Sequence, residues 1–282
     1  MINQKRLAQI LLIFITIIWG ATFIMVKDAL NDAGPFAFGT IRFSLAGILT
    51  ILILNKNIFN LSKIELQAGL IAGFFLFGGY AFQNFGLLHT SASKSAFITS
   101  VSVLLVPVIL YFLNIQKIKS KIWIAVLLAT LGLYILLNPS GGDMNIGDIL
   151  TFGCALCFAI HIIFQDYYIK KHVRILHFFL IQTCTVAILS YTNSILFEPI
   201  FAIWSPRLIN AILITGIAGT FIAILVMIWA QKILNPSQTA IIFTLEPVFA
   251  ALFAFVFAGE ILGIGGYIGG ALIVLAVGYG ES

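Results

Sequence analysis

Residues 7–26 read LAQILLIFITIIWGATFIMV, an apolar stretch without a single charged side chain. A helix rises about 1.5 Å per residue, so roughly 20 apolar residues cross a hydrocarbon core of about 30 Å. The stretch therefore predicts a membrane-spanning helix. Lys5 and Arg6 precede it, as in a signal peptide, but it is too long for the apolar region of one and lacks the small-residue cleavage pattern.

Nine further apolar stretches follow, and the ten together leave only short loops. The chain is 61% hydrophobic and 9% charged, whereas a water-soluble domain of 282 residues needs a charged, hydrated surface. The sequence predicts an all-α integral membrane protein with ten transmembrane helices. The predicted spans are 7–26, 35–54, 66–86, 95–113, 121–138, 147–167, 176–197, 208–230, 237–257 and 261–279.

The basic residues are distributed unevenly between the two sides of the membrane. With the N-terminus in the cytoplasm, eleven Lys and Arg residues lie on the cytoplasmic side, three lie outside, and Arg42 lies within a span. Loops rich in Lys and Arg stay in the cytoplasm. We therefore expect a multi-pass protein of the bacterial cytoplasmic (inner) membrane with both termini in the cytoplasm. The three outer residues are Lys27, Lys94 and Arg207.

The second half of the chain resembles the first at an offset of about 140 residues. Residues 38–42 align with residues 178–182, and Pro107 aligns with Pro247. A constant offset across several helices indicates an internal duplication. Each copy has five helices, an odd number, so the second copy crosses the membrane in the opposite direction, as inverted repeats do. The predicted repeats are residues 7–138 and 147–279, joined by the linker 138–143.

Three motifs carry a family resemblance: IWGATF at 18–23, QNFGLLHTSASKSAFI at 83–98 and LEP at 245–247. With them, the whole chain resembles EamA-type transporters of the drug/metabolite transporter superfamily. The resemblance implies a ten-helix fold with a central cavity between the two repeats. It also implies transport of amino acids or other small metabolites, often outward.

Two charged residues lie well inside predicted spans. Placing one at mid-bilayer costs about 2.5–3.5 kcal/mol on insertion scales, so each should face a partner or a wet cavity. Arg42 and Glu246 both lie roughly 10–17 Å below the outer surface and are expected at the repeat interface. Our hypothesis is that Arg42 binds a substrate carboxylate or pairs with Glu246, which releases it or binds a proton. The alternative is a structural pair, or a charge satisfied by backbone carbonyls.

Further polar and aromatic residues complete the predicted site. His161 could relay protons, or simply hydrogen-bond between packed helices. The hydroxyl-rich stretch 90–102 suits either a polar substrate or close helix packing. The predicted substrate-binding residues are Trp19, Phe23, Arg42, Tyr80, Gln83, Asn84, Ser95, Thr99, Phe243 and Glu246, and the coupling candidates are Glu246 and His161.

The sequence lacks the motifs of several other protein classes. It has no Walker A loop, no metal-ligand cluster, no nucleophile–base pair in a loop and no basic nucleic-acid-binding surface. Cys154 and Cys157 have redox spacing but no second pair, which favours helix packing. We therefore predict no catalytic residue, metal, cofactor or nucleic-acid partner. The expected partners are a small-molecule substrate and the lipid bilayer.

The predicted function is that of a secondary transporter or facilitator working by alternating access, with export of amino acids or related metabolites favoured by the resemblance. An uptake permease is the first alternative. A membrane-embedded lipid-processing enzyme would need an acidic or histidine cluster at one face, and a non-transporting scaffold would leave Arg42 and Glu246 without a cavity. Substrate, direction, proton coupling, a C-terminal tail and the choice between monomer and homodimer stay open.

Overall fold

The computed structural model describes residues 3–137, 145–198, 202–258 and 264–281. Within these ranges the chain is helical, and its only β pairing is an isolated antiparallel bridge between Ala33 and Ala202. The predicted all-α class is confirmed. The helices are α1 Gln4–Ala29, α2 Pro35–Leu54, α3 Lys63–His89, α4 Ala92–Ser100, α5 Ser102–Phe112, α6 Ser120–Leu137, α7 Ile146–Ile169, α8 Ile175–Phe197, α9 Pro206–Leu213, α10 Ala223–Ala230, α11 Pro236–Phe243, α12 Glu246–Ala258 and α13 Ile264–Glu281.

Eight helical stretches in the described ranges are long and apolar enough to cross a membrane. Two shorter apolar stretches, Ser120–Ile135 and Tyr267–Gly280, pack against each other as α6 and α13. All ten coincide with predicted spans, and α2 has the predicted bounds. The predicted linker 138–143 and the start of the tenth span lie outside the described residues.

The helix ends follow from local sequence. Pro35 occupies the first turn of α2. A backbone N–H at this position has no acceptor within the helix, so the helix loses no hydrogen bond through the proline. Ser62 and Glu65 form a capping box at the start of α3, and Asn145 and Asp148 form another at the start of α7. Each box satisfies two backbone N–H groups that would otherwise lack acceptors.

The fourth and ninth spans described here are each broken into two helices. In the fourth span the break is at Val101, whose N–H donates to the Ile98 carbonyl at 3.1 Å. In the span of α11 and α12 the break lies at Thr244 and Leu245. Their backbone N–H groups also donate to the carbonyls three residues back. Pro107 is six residues beyond the first break, while Pro247 lies in the first turn after the second. The two prolines therefore lie at different distances from the breaks, and the half-helices after the breaks start at Ser102 and Glu246, which are 144 residues apart instead of 140.

The eighth span changes helix type in its middle. Residues Ile214–Ile222 form a π-helix between α9 and α10, and the Thr220 hydroxyl donates to the Thr215 carbonyl five residues back. π-Helical turns widen a helix and frequently occur at functional sites. Here the segment packs against α2 and presents the Gly219 carbonyl and the Thr220 hydroxyl to it.

Glycines let helices of the two chain halves approach closely. A Cβ at Gly73 of α3 would lie 2.8 Å from the Gln182 carbonyl of α8. At Gly20 of α1, a Cβ would lie 2.8 Å from the Ala250 nitrogen and 3.0 Å from the Glu246 carbonyl of α12. Small residues bring membrane helices together in this way. The contact at Gly20 sets the start of α12 directly beside α1.

Two ion pairs join the chain halves at the predicted outer face. Asp32 accepts hydrogen bonds from both Arg207 Nη2 at 2.6 Å and Nε at 2.8 Å. The hydrogen bonds from Arg207 lower the pKa of Asp32 below its ordinary value. Lys94 Nζ lies 2.6 Å from Asp148, whose other oxygen accepts from Thr90 at 2.8 Å.

One ion pair joins the halves at the predicted cytoplasmic face. Arg174, just before α8, donates to Glu65 at the start of α3, with Nε 2.7 Å from the carboxylate. This contact raises the pKa of Arg174 above its ordinary value. His177 lies 3.0 Å from the Asn57 carbonyl and adds a second link. The described ion pairs thus hold the two halves together at both ends of the bundle.

Candidate functional site

A cavity of about 70 Å³ lies in the middle of the bundle, between helices of both chain halves. A cavity needs about 10–15 Å³ for each buried water, so this cavity has room for about five waters. Nine of the eleven residues predicted from the sequence line it. They are Trp19, Phe23, Arg42, Tyr80, Gln83, Thr99, His161, Phe243 and Glu246.

Asn84 and Ser95 do not line the cavity in this conformation, and their role in substrate binding stays a prediction. Asn84 is buried and its amide donates to the Pro35 carbonyl at 3.2 Å, which ties α3 to the start of α2. Ser95 is fully buried on α4, and its hydroxyl has no hydrogen-bond partner within the described part of the chain. Span bounds do not fix helix rotation, and that rotation directs both side chains elsewhere.

Arg42 is held by neutral groups. Its Nε donates to the Thr220 hydroxyl at 2.7 Å, and Nη2 donates to Tyr80 Oη at 3.2 Å and to the Gly219 carbonyl at 3.5 Å. The guanidinium carbon also lies 4.4 Å from the centroid of the Tyr80 ring, a cation–π distance. The π-helix thus supplies two of the three oxygen atoms that position Arg42, and Tyr80 of α3 supplies the third.

The charge of Arg42 is not matched by an acid. Its side chain is only 3% exposed, and no acidic group of the described residues lies within ion-pair distance. Arginine has five N–H donors. The three hydrogen bonds use Nε and Nη2, so Nη1 keeps both of its donors for another group. The predicted pairing of Arg42 with Glu246 is absent from this conformation.

Glu246 lines the same cavity from the opposite chain half. It is the first residue of α12, immediately after the helix break, and its carboxylate makes no hydrogen bond or ion pair with a described residue. The N-terminal end of a helix carries partial positive charge, which stabilises a carboxylate there. The cavity therefore contains one basic and one acidic side chain that are not paired with each other.

Aromatic rings form the cavity wall. Trp19 and Phe243 meet edge to face with centroids 5.1 Å apart, and Trp19 Nε1 donates to the Gly219 carbonyl at 2.8 Å. Tyr80 and Phe158 make a similar contact at 5.2 Å. Each ring pair joins the two chain halves. The wall combines these apolar rings with polar groups, several of which are fixed by hydrogen bonds, as in small-molecule sites.

His161 is buried at the cavity edge. Its Nε2 lies 3.1 Å from Gln182 Oε1 on α8, a hydrogen bond between packed helices. This contact supports the structural interpretation of His161. A role as proton relay stays a prediction.

Several lining residues escaped the sequence analysis. Thr22 and Val26 follow Trp19 at helical spacing and share its face, a periodicity that the sequence does contain. Phe158 of α7 and Met227 of α10 line the cavity without any polar signal. Thr220 lies 178 residues from Arg42 in the sequence, and no motif marks the contact.

Comparison with known proteins supports a transporter. Both halves of the chain match the EamA-like transporter family, over residues 6–138 and 145–279. An "Uncharacterized transporter" of Archaeoglobus fulgidus is 37% identical over 275 residues, covering 97% of this chain and 85% of that protein. "Uncharacterized transporter YoaV" of Bacillus subtilis is 23% identical, covering 94% of each chain.

A solved structure titled only "Crystal structure of protein" has the same fold. It superposes with a TM-score of 0.77 at 20% identity, over 95% of this chain and 94% of the other. The family match spans nearly the whole chain, and eight long apolar helices agree with a multi-pass membrane protein. This chain therefore belongs to the EamA-like transporter family.

Proposed function

We propose that the protein is a secondary transporter or facilitator of amino acids or related small metabolites, with the cavity as its substrate site. The observation that carries this proposal is Arg42, a buried guanidinium that faces the cavity and has no acidic partner among the described residues. Family membership supports transport as the class of function.

The free donors of Arg42 suit a carboxylate. A buried charge at mid-membrane costs about 2.5–3.5 kcal/mol on insertion scales, and the one backbone carbonyl that Arg42 contacts, Gly219, is 3.5 Å away, so an anion in the cavity would stabilise the guanidinium. The free N–H groups of Nη1 can donate charge-assisted hydrogen bonds to a carboxylate oxygen. Glu246 across the cavity would then accept the ammonium group of a zwitterionic substrate.

Alternating access is the proposed mechanism. The present cavity holds only about five waters, so a substrate larger than that requires helices to move apart. The broken spans α4–α5 and α11–α12 both line the cavity and provide points of bending. Discontinuous helices of this kind surround the substrate sites of many secondary transporters.

Location and direction are part of the same proposal. The excess of Lys and Arg in the loops on one side supports cytoplasmic termini in a bacterial inner membrane. Export is the direction proposed, on the strength of the family resemblance. The protein would act as a monomer or homodimer, with the lipid bilayer and the substrate as its partners.

Counterflow in proteoliposomes tests the proposed function. Proteoliposomes that contain the purified protein are loaded with unlabelled amino acids. The uptake of labelled amino acids is then measured, with and without an imposed proton gradient. We expect saturable exchange that is lost in Arg42→Ala and kept in Arg207→Gln, since Arg207 lies outside the cavity. Equal exchange by the wild type and Arg42→Ala would overturn the assignment of the site.

A further inference from the structure

A groove separate from the cavity lies at the predicted cytoplasmic end of the bundle. It measures about 420 Å³ and runs between α1, α11 and α13. Its walls are apolar, while Arg6 and Gln9 stand at one end. The wall residues are Ile10, Ile13, Ile242, Val277 and Gly278.

The groove opens to the surface of the bundle that faces lipid. Ile10 is 54% exposed, and Gly278 is exposed as well. A Cβ added at Gly278 would meet no atom within 4 Å. Arg6 is in the first turn of α1 and Ile13 is seven residues further on, so the groove extends about 10 Å from the helix end. Its depth and apolar walls suit the first part of an acyl chain.

The mouth of the groove is positively charged. Arg6 is exposed, Lys5 precedes it, and the first turn of α1 contains no acidic residue. The N-terminal end of the helix adds partial positive charge at the same place. No acidic side chain among the described residues forms an ion pair with Arg6. Glu281 ends α13 one turn beyond Gly278, but Arg6 is the one charged residue among the described residues that line the groove, and an anion at the mouth would be attracted to it.

We propose that this groove binds an anionic phospholipid, with its phosphate on Arg6 and an acyl chain between α1 and α13. Basic pockets between membrane helices on the cytoplasmic side bind anionic headgroups in this way. The lipid would contact α1 of the first chain half and α11 and α13 of the second. It would stabilise their association, and this binding does not depend on the substrate proposed for the cavity.

Thermal unfolding of the purified full chain in a neutral detergent tests the proposal. The probes are phosphatidylglycerol, phosphatidylcholine with the same acyl chains, and soluble glycerol phosphate. A ligand that binds the folded protein but not the unfolded chain raises the midpoint temperature of unfolding. We expect a rise with phosphatidylglycerol and none with the other two. For Arg6→Gln, we expect the half-maximal effect to need about tenfold more lipid, because a charge-assisted hydrogen bond is lost.

Two further variants complete the experiment. A Cβ at Gly278 would meet no atom within 4 Å, so the side chain of Gly278→Leu can extend into the groove, and this variant should keep the lipid-free midpoint and lose the lipid effect. Lys119→Gln removes an exposed charge away from the groove and should respond like the wild type. Equal stabilisation by phosphatidylcholine or by glycerol phosphate would overturn the proposal. Equal weakening in Lys119→Gln and Arg6→Gln would overturn it as well, and the Arg6 comparison decides if Gly278→Leu does not fold.

Discussion

Ser102 and Glu246 occupy the same position in the two broken spans. Each is the first residue of the helix that follows the break, and both line the cavity. Each therefore stands at the positive N-terminal end of a half-helix. One position holds a neutral hydroxyl and the other an acidic group, so the chain halves contribute different chemistry to a shared site.

This difference predicts unequal effects of substitution at the two positions. Glu246→Gln should lower exchange at least tenfold, because it removes the acidic group that faces the cavity, and any response to a proton gradient should disappear with it. Ser102→Ala should change the rate by no more than a few-fold, the size expected for one neutral hydrogen bond. Counterflow rates of both variants, with and without a gradient, check this. Comparable losses in the two would contradict a special role for the carboxylate.

Tyr80 positions Arg42 through both its hydroxyl and its ring. Tyr80→Phe removes one acceptor and keeps the ring, so we expect KM for the substrate to rise about fivefold, in line with about 1 kcal/mol for a hydrogen bond. Tyr80→Leu also removes the cation–π contact and should raise KM further. Transport kinetics with matched protein insertion measure this order. An unchanged KM in Tyr80→Leu would show that the contact does not position the guanidinium.

The close approach of α1 and α12 depends on Gly20. Gly20→Ala places a Cβ against backbone atoms of α12 that cannot move aside, and overpacking of this kind costs about 1–3 kcal/mol. The unfolding midpoint in detergent should fall. Gly47→Ala is the matched control, since its Cβ would lie 3.8 Å from Cys184 Sγ in ordinary contact. Similar midpoints for the two alanine variants would rule out a tight contact at Gly20.

The ion pair of Asp32 and Arg207 predicts a dependence of stability on pH. Hydrogen bonds from Arg207 lower the pKa of Asp32 in the folded protein. The pair therefore stabilises the fold above the ordinary pKa of an aspartate, and this contribution disappears as pH falls through the lowered value. Asp32→Asn should unfold at a lower temperature than the wild type at pH 7, and the difference should shrink toward pH 3. A difference that is constant across this range would contradict the assignment.

The helices were predictable from the sequence because burial in lipid requires a long apolar run for each span, and α2 has its predicted bounds. The breaks were not, since the break at Val101 has no proline or glycine to mark it. Pro107 and Pro247 aligned by residue type although they lie at different distances from the breaks.

The site was predictable where a charge in an apolar span marks it, as with Arg42 and Glu246. Residues whose role depends on helix rotation could not be placed. Asn84 has a suitable side chain but bonds to the Pro35 carbonyl instead. Thr220 reaches Arg42 because the π-helix orients it, and hydropathy does not reveal that change of helix type.

The most direct test of the account is a competition measurement with paired ligands. Counterflow of the labelled substrate is competed with the unlabelled amino acid or with its carboxamide, in the wild type and in Arg42→Gln. The wild type should prefer the carboxylate by about tenfold or more, given the strength of charge-assisted hydrogen bonds, and Arg42→Gln should lose that preference. A preference for the carboxylate that survives unchanged in Arg42→Gln would contradict the claim that Arg42 binds the substrate carboxylate.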